Sequence, residues 1–193
     1  MPRQAAPITR ELPRHELGAY AKHLRALDAE DRRLRFGQVI GDAAIHNYVD
    51  RIDTERDAIF VVIDDDLKLV GAAHMARGGR HAELGISVLA SHRRRGIGGA
   101  LLQRAQLHAR NWGVAKFFTH CLSENTPLMR LARRHGMQIV AEGGEADGFI
   151  ALPAPDASSF VSELVAERVG RFDHALKSQT LALRQIGAAW LTP

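Results

Sequence analysis

Apolar and polar positions alternate in two periods along this chain. From Pro13 to Leu27, Leu17, Tyr20, Leu24 and Leu27 recur at spacings of three and four, which predicts an amphipathic helix. Asp42 to Ile52 repeats the pattern through Ile45, Val49 and Ile52, with Asp42 placed to cap, so two helices are expected early. Pro7 to Leu12 reads as a first strand. Ala58 to Ile63 is a β-rich apolar run, Asp64-Asp65-Asp66 a turn, and Leu67 to Met75 its antiparallel partner. Gly78-Gly79 turns the chain into a strand from Ala82 to Leu89. A helix follows from Ala100 to Trp112, with Leu101, Leu102, Ala105, His108, Ala109 and Trp112 on one face. Lys116 to Leu122 is the next strand, and the intervening helix implies that it runs parallel to the one before. After a short helix, Met137 to Ala141 and Phe149 to Leu152 flank a glycine-rich turn as a closing hairpin.

Pro153 to Pro155 breaks this pattern, and Asp156 is suited to start a long helix. Its apolar positions are Val165, Val169, Phe172, Leu176, Leu183, Ile186 and Trp190, in a four-three rhythm interrupted by Gln179. Such a helix either folds back on its own domain or pairs with a second copy, and Gly170 and Gly187 are placed to bend or end it. The expected organisation is a domain over residues 1–152 and a helical extension over 153–193.

Composition narrows the class. With 193 residues and 46% hydrophobic content, one globular domain is the default. There is no apolar run of signal-peptide or bilayer-spanning length, so a cytoplasmic protein without membrane contact is expected. Cys121 is the only cysteine, which excludes an intramolecular disulfide and a multi-cysteine zinc site, and no metal is expected. Lys and Arg number 26 against 22 Asp and Glu, a net charge of +4 that mildly favours anionic partners. The arginine clusters Arg32-Arg33-Arg35, Arg93-Arg94-Arg95 and Arg133-Arg134 are the only support for nucleic-acid binding.

The central arginine cluster opens Arg93-Arg94-Arg95-Gly96-Ile97-Gly98-Gly99, set between a strand and a helix N-terminus. Free N–H groups and the positive dipole end make that junction an anion cradle, and glycine lets backbone approach the anion. A Walker loop would need Lys-Ser or Lys-Thr after the glycines, and a dinucleotide fingerprint would need Gly-x-Gly-x-x-Gly; neither is present. Arg93-x-x-Gly96-x-Gly98 instead resembles the pyrophosphate loop of the GNAT (GCN5-related) acetyltransferases. A second motif agrees with it. Asn125 is followed eleven residues later by Gly136, and between them Thr126 can cap a short helix, Pro127 suits its first turn and Gly136 its stop.

The resemblance covers residues 7 to 152, and its closest likeness is to the acetyltransferase domain of bacterial protein lysine acetyltransferases. It implies an α+β, three-layer α/β/α fold: a mixed, mostly antiparallel sheet with a splayed parallel strand pair, followed by the long helix. It implies acetyl-CoA as co-substrate and an amine, on a small molecule or a protein, as acceptor. Backbone at Ile86 and Val88, with Ser87 between them, would hold pantetheine. Arg93, Arg94, Arg95, Gly96, Ile97, Gly98 and Gly99 would hold pyrophosphate, and Asn125 and Met129 would lie by the pantetheine arm. Glu83, on the strand face of Gly85 and Ser87, is the expected base once partial burial raises its pKa, with Ser123 and His120 weaker candidates. Many family members carry a tyrosine four residues before the Gly-Phe pair, poised to protonate the sulfur. Here that position is Ala132, which leaves water, Ser123 or the acceptor to serve, and motivates an alternative: a GNAT-fold module that binds acyl-CoA without catalysis. The segment from Leu27 to Gly37 also resembles the stretch before the second helix in those protein acetyltransferase domains, which implies a place over the acceptor site and a part in substrate choice; from its residues alone it reads as an interhelical loop whose Phe36 plugs the core.

Overall fold

The computed structural model describes residues 6–190, the side chains of 188–190 excepted. A seven-stranded sheet runs in the order β1-β2-β3-β4-β5-β7-β6, from β1 (Arg10–Glu11), β2 (Asp57–Ile63), β3 (Leu69–Gly78), β4 (His81–Val88), β5 (Lys116–Leu122), β6 (Gln138–Glu142) and β7 (Glu145–Ala151). Every pairing is antiparallel except that of β4 with β5. Helices α1 (Leu17–Arg25), α2 (Ala29–Phe36) and α3 (Asp42–Asp50) precede β2; α4 (Ile97–Asn111) and α5 (Thr126–Arg134) flank β5; α6 (Ala157–Trp190) follows the sheet. This is the three-layer arrangement expected, with the parallel pair where a helix joins its strands.

The two faces are covered by different helices. Leu101, Leu102, Ala105 and Ala109 of α4 are buried, and a Cβ on Gly71 of β3 would stand 2.5 Å from Ile97 of α4, so helix and sheet meet closely there. Each buried leucine contributes about 1.5–3 kcal/mol. On the opposite face His23 of α1 reaches Ser87 of β4, and Tyr48 of α3 reaches His74 of β3.

Where the helices begin and end departs from expectation in instructive ways. The segment expected as an interhelical loop is helix α2. Asp28 caps it by accepting from the Asp31 N–H at 2.7 Å, Glu30 and Asp31 occupy its first turn, and Gly37 stops it at φ +75°. Phe36 does pack against the core. Gly41, not Asp42, is the N-cap of α3, and Asn125, not Thr126, caps α5 by accepting from the Leu128 N–H at 3.2 Å. The first strand keeps only Arg10 and Glu11, while the last begins at Glu145, ahead of the apolar run.

The long helix runs on through both of its glycines. Asp156 accepts from the Ser159 N–H at 2.8 Å and starts it, as expected. Gly170 lies against β1, where a Cβ would stand 2.3 Å from the Thr9 carbonyl oxygen, so its role is close approach. Nearer its N-terminus α6 is fixed to α4: buried Arg104 donates to Glu163 at 2.9 Å and Glu167 at 3.2 Å, while His108 and Asn111 also bond Glu163. Burial works against the charge of Glu163, but the hydrogen bonds from His108, Asn111 and Arg104 outweigh it and bring its pKa to about 2. Trp190 ends α6, its side chain outside those described. Among the described residues no helix is long and apolar enough to cross a membrane.

Candidate active site

The parallel pairing of β4 with β5 stops at Glu83↔Phe118, although β4 continues to Val88 and β5 to Leu122. Thr119 donates to the Leu84 carbonyl at 2.8 Å, just beyond the last pair. Past that point the strands part and their backbone polar groups are left for another partner. A cleft of about 970 Å³ opens there and runs to the N-terminus of α4. Its wall includes Ile86, Ser87 and Val88 of β4, Arg93 to Gly99, and Asn125. Of the expected coenzyme contacts only Met129 falls outside that wall, as do Glu83 and Ser123.

The glycine loop holds two residues in the left-handed region, Gly96 at φ +79° and Arg94 at φ +59°. For arginine that conformation costs roughly 1–2 kcal/mol. Left-handed positions in a turn gather N–H groups into an anion-binding concavity, so the strain sits where an anion would repay it. Gly98 and Gly99 have a second use: a Cβ on them would stand 3.2 Å from Leu131 of α5 and 3.3 Å from His135. They let α5 pack against the start of α4.

Helix α2 crosses this cleft and touches both sides of it. Asp31 pairs with Arg93, Arg33 pairs with Glu124, and Asn125 donates to the Leu34 carbonyl at 3.4 Å. Arg93 also donates to the Val88 carbonyl at 3.2 Å. The side chains of Arg93 and Asn125 are therefore already engaged within the protein, whereas backbone at the loop is the more available anion partner.

Two polar networks that the sequence did not reveal lie between the helices and β3–β4. Arg35 of α2 packs on Gly85, where a Cβ would stand 2.1 Å from its guanidinium carbon, so Gly85 is the space that admits it. Arg35 donates to Tyr48 at 2.9 Å, Tyr48 bonds His74 Nδ1 at 2.5 Å, and His74 Nε2 bonds Asp57 at 3.1 Å. Burial, then the Arg35 charge, lowers the His74 pKa, so its neutral ring accepts from Tyr48 and donates to Asp57. In the second network His23 Nδ1 meets the Leu69 carbonyl at 3.0 Å and Nε2 meets Ser87 Oγ at 2.9 Å. A carbonyl only accepts, so Nδ1 carries the proton and Nε2 accepts from the Ser87 hydroxyl. Burial brings the His23 pKa down to about 4. Ser87, expected among the coenzyme contacts, thus turns its side chain into α1.

Acidic groups gather on one face of the sheet, outside the cleft wall. Register places Asp57, Ala76, Glu83 and Phe118 in one row across the sheet, on one face. His120, two residues beyond Phe118, shares it. Glu83 is exposed, which corrects the expected partial burial: the side chains that cover this face of β4, Arg35 and His23, meet Gly85 and Ser87 further along the strand. On this row it is His120 whose environment shifts its titration. It bonds Asp147 at 2.8 Å and lies 3.6 Å from Glu145, and the hydrogen bond to Asp147 raises its pKa. Ser123 is half-buried after β5, its N–H donating to Gly144 at 2.9 Å. Ala132 is buried, facing Gly148 of β7, where a Cβ would stand 3.5 Å away. Among the described residues no group of three or more His, Cys, Asp or Glu could hold a metal ion.

Splayed parallel strands above a glycine loop define a class of protein, and comparison with known proteins agrees. The model of the acetyltransferase (GNAT) family matches residues 23–137, and the chain belongs to that family. No curated protein sequence matches it. Among solved structures, the GNAT domain of S. lividans PAT superposes with a TM-score of 0.64 at 17% identity, over 75% of this chain and 89% of that one. Spermidine N-acetyltransferase from Vibrio cholerae, solved with CoA and spermine, gives 0.59 at 19% identity, over 74% and 94%. A phosphinothricin acetyltransferase from Sinorhizobium meliloti, solved with AcCoA, gives 0.63 at 15% identity, over 80% and 92%. These likenesses share a fold, and none singles out the protein lysine acetyltransferases as the nearer kin.

Proposed function

We propose that this chain transfers an acetyl group from acetyl-CoA to a primary amine, on a protein lysine or a small molecule. The observation that carries the reading is the cleft where β4 and β5 part, directly above a strained, N–H-rich loop at the start of α4. Backbone at Ile86 and Val88 would bond the pantetheine amides as an added strand, and the loop from Arg93 to Gly99 would take the pyrophosphate. Binding of coenzyme by crystallised family neighbours supports this assignment. Residues 1–152 form the catalytic domain in this reading, residues 153–193 a helical extension that joins two copies, and the protein is cytoplasmic.

On the acceptor side Glu83, His120, Asp147 and Glu145 favour approach of an ammonium group. Glu83 takes its proton, directly or through water, and the amine lone pair then attacks the thioester carbonyl. The C–N bond forms, the C–S bond breaks, and the departing thiolate takes a proton from water, since Ala132 offers none.

That alanine supports a second reading, an acyl-CoA-binding module without turnover. Thiol release against a panel of amines separates the two. Steady release, reduced about 10²–10⁴-fold in Glu83→Gln with coenzyme affinity kept, supports transfer with Glu83 as base. Loss in His120→Gln alone moves the base to His120, and no release with any amine leaves the binding module.

A further inference from the structure

The face of α6 turned away from the domain carries Val165, Val169, Phe172, Leu176, Leu183 and Ile186, each between 46% and 71% exposed. Gly170 on β1 and the Arg104 contacts with Glu163 and Glu167 fix the other face, so rotation of the helix cannot hide this stripe. The spacing is a heptad seam: Val165, Phe172, Gln179 and Ile186 fall seven apart, as do Val169, Leu176 and Leu183. A seam of this period fits a second helix of the same period.

Resting on the homodimer reading above, we propose that the partner is a second copy of this chain and that the two α6 helices form a parallel, in-register coiled coil. Gln179 decides the direction. In register it faces Gln179 of the partner subunit, where two amides can donate to and accept from each other. With the seam from Val165 to Trp190 fully overlapped in the antiparallel sense, it would face leucine at position 176 and leave a buried amide unpaired. Charge does not oppose this choice. Arg168 flanks the seam on one side, and Asp173 on the other is already paired with Lys177 at 2.9 Å. The remaining described residues on the side of Arg168 after it, Ala175 and Ala182, are small and uncharged, so the helices approach without repulsion.

Sedimentation of the full chain and oxidation of single-cysteine variants test the two parts separately. The wild type is expected to sediment as a dimer, and Leu176→Glu as a monomer that keeps its circular dichroism, with a thermal midpoint no longer dependent on protein concentration. Cys121 is buried, so Gln179→Cys supplies the accessible thiol. It is expected to form a disulfide-linked dimer under mild oxidation, and Leu176→Cys likewise. A monomeric wild type, or a Leu176→Glu dimer, overturns pairing through α6. A dimer in which neither variant crosslinks alone, while the double variant does, overturns the parallel register and leaves the homodimer standing.

Discussion

His23 links the stability of the fold to the cleft, and its protonation has a calculable cost. Only 2% of the residue is exposed, and both ring nitrogens are committed, to the Leu69 carbonyl and the Ser87 hydroxyl. Protonation would remove the acceptor that Ser87 uses and place a charge beneath β4. Burial lowers its pKa from 6.5 to about 4 in the folded chain. Between those values the unfolded chain binds more protons, so stability is full above pH 6.5 and falls as the pH drops toward 4. At one pKa unit per 1.36 kcal/mol, the loss is about 2 kcal/mol at pH 5 and reaches roughly 3 kcal/mol below pH 4. Urea unfolding at pH 7 and pH 5 gives the wild-type difference, to which other groups contribute. His23→Gln, whose amide can donate to Leu69 and accept from Ser87, lowers stability at pH 7 but cannot titrate. Its pH difference should be smaller than that of wild type by about 2 kcal/mol. Equal differences in the two proteins would refute the argument.

Other consequences follow from single contacts. Gly170→Ala forces a methyl group against the Thr9 carbonyl, and should cost about 1–3 kcal/mol in urea unfolding despite the better helix propensity of alanine. An unchanged or raised midpoint would contradict the close approach of α6 to β1. Asp147→Asn removes the main cause of the raised His120 pKa, so NMR titration of that ring should move to lower pH. A curve that stays in place would mean that the pair does not form. Arg94→Gly relieves the left-handed strain at the loop, and should leave acetyl-CoA affinity within a few-fold if backbone, not this side chain, holds the anion. A large loss would assign the contact to the guanidinium.

Much of the sheet was legible because its strands carry local signals. β5 begins and ends where the apolar run from Lys116 to Leu122 does, and β3 lies between the two expected turns, though it starts at Leu69, with Leu67 in the turn at φ +60°, and runs past Met75 to Gly78. Helix α2 was not legible, since Leu34 and Phe36 give no apolar period. Its signals were the Asp28 cap, the acidic first turn and Gly37, which can equally mark a loop. The splay of β4 from β5 followed from the resemblance and not from any local pattern. The chain from Arg35 through Tyr48 and His74 to Asp57 joins four separate elements, and a histidine inside a strand gives no hint of its partners. Nor could spacing show that Gly98 and Gly99 serve α5 as well as the loop.

Calorimetric titration with acetyl-CoA tests the central claim most directly, on wild type, Gly98→Ala and Gly98→Glu. The alanine variant controls for pressure on Leu131, 3.2 Å from the added Cβ, and the glutamate adds charge at the anion site. Saturable binding by wild type, kept within a few-fold in Gly98→Ala and lost in Gly98→Glu, is the predicted result. Folded wild-type protein that releases no heat and takes up no coenzyme would contradict the assignment of the cleft.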